Sequence, residues 1–266
     1  MYQLQNIVNK LIIDIKRRYF LLGRESQMVY SLMLKTVLQA VDQARFTEVE
    51  SNLLLRDLIN DVRLLVIEIN SILRERIAES SLYLKTAINI LDRMKGSMEP
   101  LHILLCDSLS ISECMFLSYI FPRFIDIDKM FFAINPSGKT ATFKYLAKEY
   151  LGIETEFLEE VTLRNICEAL REKLGAFGCS LFRDIDMLIH HGGNYGNINQ
   201  MTNSLFRVVS KLCGEIEKLM NNKYKVLIMA DHGYDILKRD SLWALTHGWE
   251  REKLCLSPFV PIIILG

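Results

Sequence analysis

Six carboxylate and imidazole side chains, carried by four short stretches of the chain, have the types and spacing of metal ligands. Asp107 directly follows the apolar run HILLC, and Asp231 with His232 directly follows VLIMA. Two predicted strands thus each deliver an acidic group to the same edge of a sheet. DIDMLIH places Asp186 and His190 four apart, and His247 stands in the tripeptide THG. A buried carboxylate needs a cation or a hydrogen-bond donor. A mixed oxygen and nitrogen set without Cys suits zinc or manganese, and a catalytic site more than a structural one. Each piece alone has a plainer reading: a strand-terminal Asp107 can cap a helix, and DxxxH occurs on many solvated helix faces. His102 reads as a packed core residue and His191 as a neighbour of a ligand. What carries the metal reading is the order of the pieces along the chain.

The elements that must position these residues follow from periodicity. After Pro100, short apolar runs alternate with helical stretches. His102 to Cys106, Met130 to Ile134, Val226 to Ala230 and Pro261 to Leu265 read as strands, while Thr140 to Leu151, Leu163 to Leu174 and Met201 to Met220 read as helices. That alternation predicts an α/β fold with a largely parallel sheet, in which ligands bind beyond the carboxyl ends of the strands. Before residue 97 the chain has another character. Neither Gly nor Pro occurs between Arg24 and Lys95, whereas all five prolines and 11 of the 13 glycines follow residue 97. Leu53, Leu54, Leu58, Ile59, Val62, Leu65, Ile69 and Ile72 recur at helical steps. The expected organisation is an α-helical bundle over 1–97 and an α/β domain over 98–266. Gly23 is expected to break the first helix, Ser26 or Glu25 to start the second, and the Phe46 to Glu48 region to separate it from a long third.

Composition narrows the function classes. The 266 residues carry 32 Lys plus Arg and 32 Asp plus Glu, so a nonspecific coat on a polyanion is disfavoured. The longest uncharged runs fall short of the roughly 18 residues a membrane span needs. Charged residues from Lys10 to Arg18 interrupt what a secretory signal would need, which predicts a cytoplasmic protein. The six cysteines are scattered without a CxxC pair and read as reduced core residues.

As an ordered set, CDSLS at 106–110, NPSGKTATF at 135–143, DIDMLIH at 184–190, MADHGYD at 229–235 and THGW at 246–249, closed by VPIIILG, resemble the alkaline phosphatase superfamily. Within it the likeness is to a PglZ domain, over about residues 98–266. The resemblance implies a three-layer sandwich and two divalent metal ions, zinc first, with manganese or magnesium as alternatives. Asp107, Asp231 and His232 would hold one ion, and Asp186, His190 and His247 the other. Thr140 would be the nucleophile, with Ser137 the second choice because the turn is one residue longer than the family's. Lys139 would bind a nonbridging oxygen of the substrate, with Ser137 beside it. Two ions about 4 Å apart clamp attacking and leaving oxygens in line. Attack by Thr140 would give a phosphothreonine that water then hydrolyses.

Where PglZ-like sequences usually carry a basic residue shortly after the first Asp, DSLS supplies serines. The segment is also compact, leaving little room for a substrate-recognition cap, so specificity is expected from the N-terminal helices or from a protein partner. The substrate is a phosphate ester, with nucleic acid or nucleotide among the candidates. A phosphodiester stands ahead of a monoester, because one lysine and no nearby arginine offer little to a terminal dianion. Phage defence is the setting that the resemblance implies.

Two other readings start from the same residues. AINPSGKT at 133–140 satisfies a relaxed Walker A pattern between a strand and a helix, with Lys139 on phosphates, Thr140 on magnesium and Asp231 as the second acid. It leaves Asp107, Asp186, His190 and His247 without a role. The third reading is a catalytically silent, PglZ-like interaction module.

Overall fold

The computed structural model describes residues 2–19, 25–41, 53–75, 100–248 and 255–266. The expected breaks at Gly23 and Phe46 to Glu48, the boundary near residue 97 and the Trp249 end of THGW lie outside them. Among the described residues three helices come first: α1 (Tyr2–Tyr19), α2 (Ser26–Val41) and α3 (Leu53–Glu75). The start of α2 at Ser26 is where the sequence placed it. Leu58, Val62, Leu65 and Ile69 form the buried stripe of α3, which packs on α1, where Leu11 and Ile15 are buried, and on α2, where Met33 and Val37 are. At this spacing one face of each helix is apolar, and burial of that face holds the three together.

The remainder is mixed α/β. In chain order it runs β1 (Leu101–Cys106), α4 (Ile111–Ile120), β2 (Ile125–Ile134), α5 (Thr140–Leu151), α6 (Leu163–Leu174), β3 (Gly178–Phe182), α7 (Asp184–His191), α8 (Ile198–Asn221), β4 (Lys225–Ala230), β5 (Asp235–Arg239), β6 (Leu242–Thr246) and β7 (Phe259–Leu265). Five strands form one sheet in the order β2-β7-β4-β1-β3, and β5 with β6 forms a separate hairpin. β1 is parallel to β3 and β4, while β7 is antiparallel to both its neighbours, so four of the five strands run the same way. Strands β4 and β7 are buried along nearly their whole length, which is why VLIM and VPIIIL read as unbroken apolar runs.

The N-terminal helices meet this part through its helices, with α1 also touching β2. α1 and α2 pack on α4, and α2 also packs on α8. Polar ties reinforce the contact: Gln5 donates to the Met130 carbonyl at 2.8 Å and Asn70 to the Cys255 carbonyl at 3.2 Å. None of the described helices is long and apolar enough to cross a membrane.

Candidate metal centre

The strand register builds the site. Cys106 of β1 is level with Phe182 of β3 and Ala230 of β4, so Asp107, Arg183 and Asp231 leave the sheet side by side. Backbone bonds continue the ladder past the strands. The Asp107 N–H donates to the Phe182 carbonyl at 2.8 Å, Asp231 N–H to Cys106 at 3.2 Å, and Leu109 N–H to His232 at 2.9 Å.

Asp107, Asp231 and His232 form an inner group, all buried, whose donor atoms lie within 4.8 Å of one another. One oxygen of Asp231 is tied to the backbone, accepting from Ser108 N–H at 3.0 Å and His232 N–H at 2.8 Å. Its other oxygen, Oδ2, and Oδ1 of Asp107 are buried without a hydrogen-bond partner. The His232 Nδ1–H donates to the Gly233 carbonyl at 2.7 Å. In the neutral ring that leaves the lone pair on Nε2, which accepts from Thr140 Oγ1 at 3.0 Å and lies 3.5 Å from Asp231 Oδ2. Burial, then the neighbouring carboxylates of Asp231 and Asp186, push the Asp107 carboxyl up to about 8. Two orphaned carboxylate oxygens and an imidazole lone pair, crowded out of water, are a donor set that a divalent cation fits.

Asp186, His190 and His247 form a second group by the same distance criterion, at the lip of the site. One helical turn of α7 brings His190 Nε2 to 3.4 Å from Asp186 Oδ1. His247 arrives from the end of β6, where the hairpin is anchored by paired backbone bonds between Tyr195 and Trp243. Its Nε2 is 3.2 Å from that of His190 and 4.0 Å from Asp186 Oδ1. Two imidazole nitrogens aimed at each other beside a carboxylate also suit a cation. Burial, followed by the nearby His232, pulls the His247 imidazole below its ordinary range. Ser108 joins the two groups. It is fully buried in the left-handed region at φ 68°, with its hydroxyl 3.4 Å from Asp186 Oδ1 and 3.3 Å from His232 Nδ1.

The turn between β2 and α5 presents Thr140 as the first residue of its helix. Asn135, buried at the end of β2, organises this turn: its amide donates to the Asp231 carbonyl at 2.8 Å and to the Lys139 carbonyl at 2.9 Å. Gly138 adopts φ 61° against Ser257, whose atoms a Cβ would strike. The Ser137 hydroxyl bonds to Thr142 at 2.6 Å and contacts neither ligand group. Lys139 is exposed, its side chain running along Gly248 beside His247. The Ser137 N–H is bonded to the Asn135 side chain and Gly138 N–H to its carbonyl. A phosphate-cradling loop would need both amides free.

Behind the inner group lies a buried clamp. Glu113 of α4 accepts from Tyr30 of α2 at 2.6 Å, Tyr234 at 2.7 Å and Ser110 N–H at 2.9 Å. Burial raises its carboxyl despite these donors, which act in the opposite sense. His102 is half-buried and bonded to Ser180, away from the ligands. His191 is exposed on the helix that carries His190.

The structure therefore gathers all six expected ligands and Thr140, while the Ser137 hydroxyl is bonded to Thr142. Two expectations need correction. Cys167 and Cys179 are joined in a disulfide between α6 and β3, their Cα atoms 5.7 Å apart; residues separated along the chain meet across a helix-strand contact that spacing alone does not show. Cys106, Cys114, Cys213 and Cys255 are buried thiols, as expected. Nor is the site without an arginine: Arg183 Nε lies 3.8 Å from Asp107 Oδ2. Sequence reading missed Arg183 because β3 is a short, half-exposed edge strand, and without it Arg183 had no place. Ser108, Asn135 and Glu113 were also missed, although CDSLS and NPSGKT contain two of them. Compared with protein-family models the chain matches none, and it matches no curated protein.

Proposed function

We propose that this chain is a metal-dependent phosphoesterase of alkaline-phosphatase-like, PglZ-like architecture, with Thr140 as nucleophile. The supporting observation is that residues from positions 107 to 247 converge into two adjacent ligand groups, with the Thr140 hydroxyl bonded to one of them. Asp107, Asp231 and His232 would hold one divalent ion, and Asp186, His190 and His247 a second. Such ions neutralise phosphate charge and acidify a bound hydroxyl. The chain's own residues supply the rest. Asn135 fixes the turn that aims Thr140, Ser108 fixes the spacing of the two groups, and Lys139 attracts the anionic ester. The Thr140 Oγ1–P bond forms as the ester P–O bond breaks, with the hydroxyl proton and the proton of the departing alcohol exchanged with solvent. Water then cleaves the phosphothreonine and restores the hydroxyl.

A nucleotide-binding P-loop is the weaker reading, since two of its amides are already bonded and four ligand residues would have no task. The test is metal content and ester hydrolysis of the purified protein beside Thr140→Ala and the double variant Asp231→Ala with His247→Ala. The expected result is about two ions per chain in the wild type and Thr140→Ala, turnover lower by about 10³-fold or more in Thr140→Ala, and neither metal nor turnover in the double variant. Metal retained with no turnover in any form would leave an interaction module. ATP binding that survives the double variant, in a protein holding no transition metal, would restore the P-loop.

A further inference from the structure

We propose that Glu113 is a positioning residue for the inner ligand group and that Tyr30 draws helix α2 into that role, so that the N-terminal helices set how tightly the group holds a cation; the cation itself rests on the metal-centre reading above. The inner ligands stand on two turns, 107–110 after β1 and 231–234 after β4. Glu113 grips both. Its Oε2 accepts from the Ser110 N–H at 2.9 Å, three residues beyond Asp107, and its Oε1 accepts from the Tyr234 hydroxyl at 2.7 Å, two residues beyond His232. The Tyr30 hydroxyl of α2 donates to the same Oε1 at 2.6 Å. All three side chains are buried, so removing a donor leaves a carboxylate oxygen short of a partner where burial makes that costly.

The two turns are also bonded to each other, through Leu109 N–H to the His232 carbonyl at 2.9 Å and Ser108 N–H to Asp231 Oδ1 at 3.0 Å. Those bonds fix one turn against the other but would let the pair shift together; Glu113 anchors the pair to α4. On the opposite side of the 231–234 turn, Gly233 N–H donates to the Ser257 carbonyl at 2.8 Å, and a Cβ at Gly233 would strike the carbonyls of Leu256 and Phe259. His232 thus sits between a packed wall and the Tyr234–Glu113 bond, which together set where its Nε2 points. A metal tolerates errors of only about 0.2 Å in ligand distance, and the groups that hold its ligands in place change affinity by about 10- to 100-fold. The partners of the Glu113 side chain lie on α2 and on the two inner turns, whereas the lip ligands ride on α7 and at the end of β6. The effect should therefore be confined to the inner group.

The experiment measures zinc affinity of the full-length, initially metal-free protein by competition with a chromophoric chelator. Wild type is compared with Glu113→Gln, Tyr234→Phe and Tyr30→Phe, and with Ile166→Val, a substitution in the buried face of α6 that controls for general destabilisation. Glu113→Gln and Tyr234→Phe should weaken the tighter of two sites by about 10- to 100-fold, and Tyr30→Phe by about three- to tenfold. The weaker site should stay within about twofold throughout, and Ile166→Val should leave both sites unchanged. Unaltered affinity at the tighter site, equal losses at both sites, or an equal loss in Ile166→Val would overturn the proposal. A wild type that binds no zinc would sink the metal-centre reading instead, and amide hydrogen exchange would then decide the role of Glu113. Faster exchange in Tyr234→Phe and Tyr30→Phe, confined to 107–110 and 231–234, would keep it as the residue that positions those turns; unchanged exchange would overturn that as well. Should Glu113→Gln fail to fold, the two Phe variants carry the same comparison.

Discussion

The two ligand groups differ more in their surroundings than in their chemistry. Asp231 and His232 are fully buried and braced by main-chain bonds from Ser108, His232 and Gly233. At the lip, the His190 side chain is 53% exposed and Asp186 and His247 are partly exposed; the contacts there are mostly between the ligands themselves. The inner group is part of the fold, held at strand ends by the sheet ladder. The lip group is assembled from one helix and one hairpin, which need only meet. On the proposed reading the inner group would be preorganised for a cation, while the lip group would depend on the meeting of two separate elements.

Four measurements would break or sharpen this contrast. The largest effect is expected in metal affinity: titration of the loaded protein with a chelator should remove the lip ion first, at about 10- to 100-fold lower chelator strength, because backbone and outer contacts hold only the inner ligands. Loss of both ions in one step would erase the distinction. Next, in metal-free protein, Asp231→Ala should cost about 2–4 kcal/mol in urea unfolding, since two buried N–H groups lose their acceptor, whereas Asp186→Ala should stay within about 0.5 kcal/mol. Equal costs would show that the lip is as structural as the core.

The third measurement is pH dependence. With its carboxyl raised from 3.8 to about 8, Asp107 keeps a proton in the metal-free folded state that the unfolded chain releases. Its contribution to stability therefore declines as pH rises from about 4 and levels off above about 8. Melting curves at pH 5 and pH 8 in chelator should show this decline, and Asp107→Asn should flatten it. With zinc, which binds the ionised carboxylate, the trend should reverse. A slope unchanged by Asp107→Asn would place its cause elsewhere. The smallest effect concerns the support behind the inner group: Tyr30→Phe removes one of three donors to buried Glu113 and should cost about 1–2 kcal/mol in unfolding. No cost would mean that α2 is not part of that support.

Much of this was legible in the sequence because burial writes itself as periodicity. β4 and β7 are apolar runs, and α5, α6 and most of α8 begin or end within a few residues of their expected limits. The ligands were legible because each follows a strand or belongs to a short local pattern. Helix α4 was missed: its side chains are buried on nearly all sides, so no amphipathic stripe marks it. Edge strand β3 and the hairpin strands β5 and β6 are five residues each and only partly buried, too short to stand out, and Arg183 and the anchoring of His247 were lost with them. Glu113 could not be recognised because its partners, Tyr30 and Tyr234, are 83 and 121 residues away.

The level endings of β1, β3 and β4 impose a rule about length. Since alternate residues of a strand face opposite sides of the sheet, deleting one residue from HILLC or VLIMA would turn Asp107 or Asp231 through the sheet to its far side. Many substitutions within these runs preserve where the acids emerge, but a single insertion or deletion cannot. The five-residue spans are gauges as well as core. An added residue is expected to be tolerated only in connections distant from these strand ends, such as that between α5 and α6, where it shifts none of the six residues.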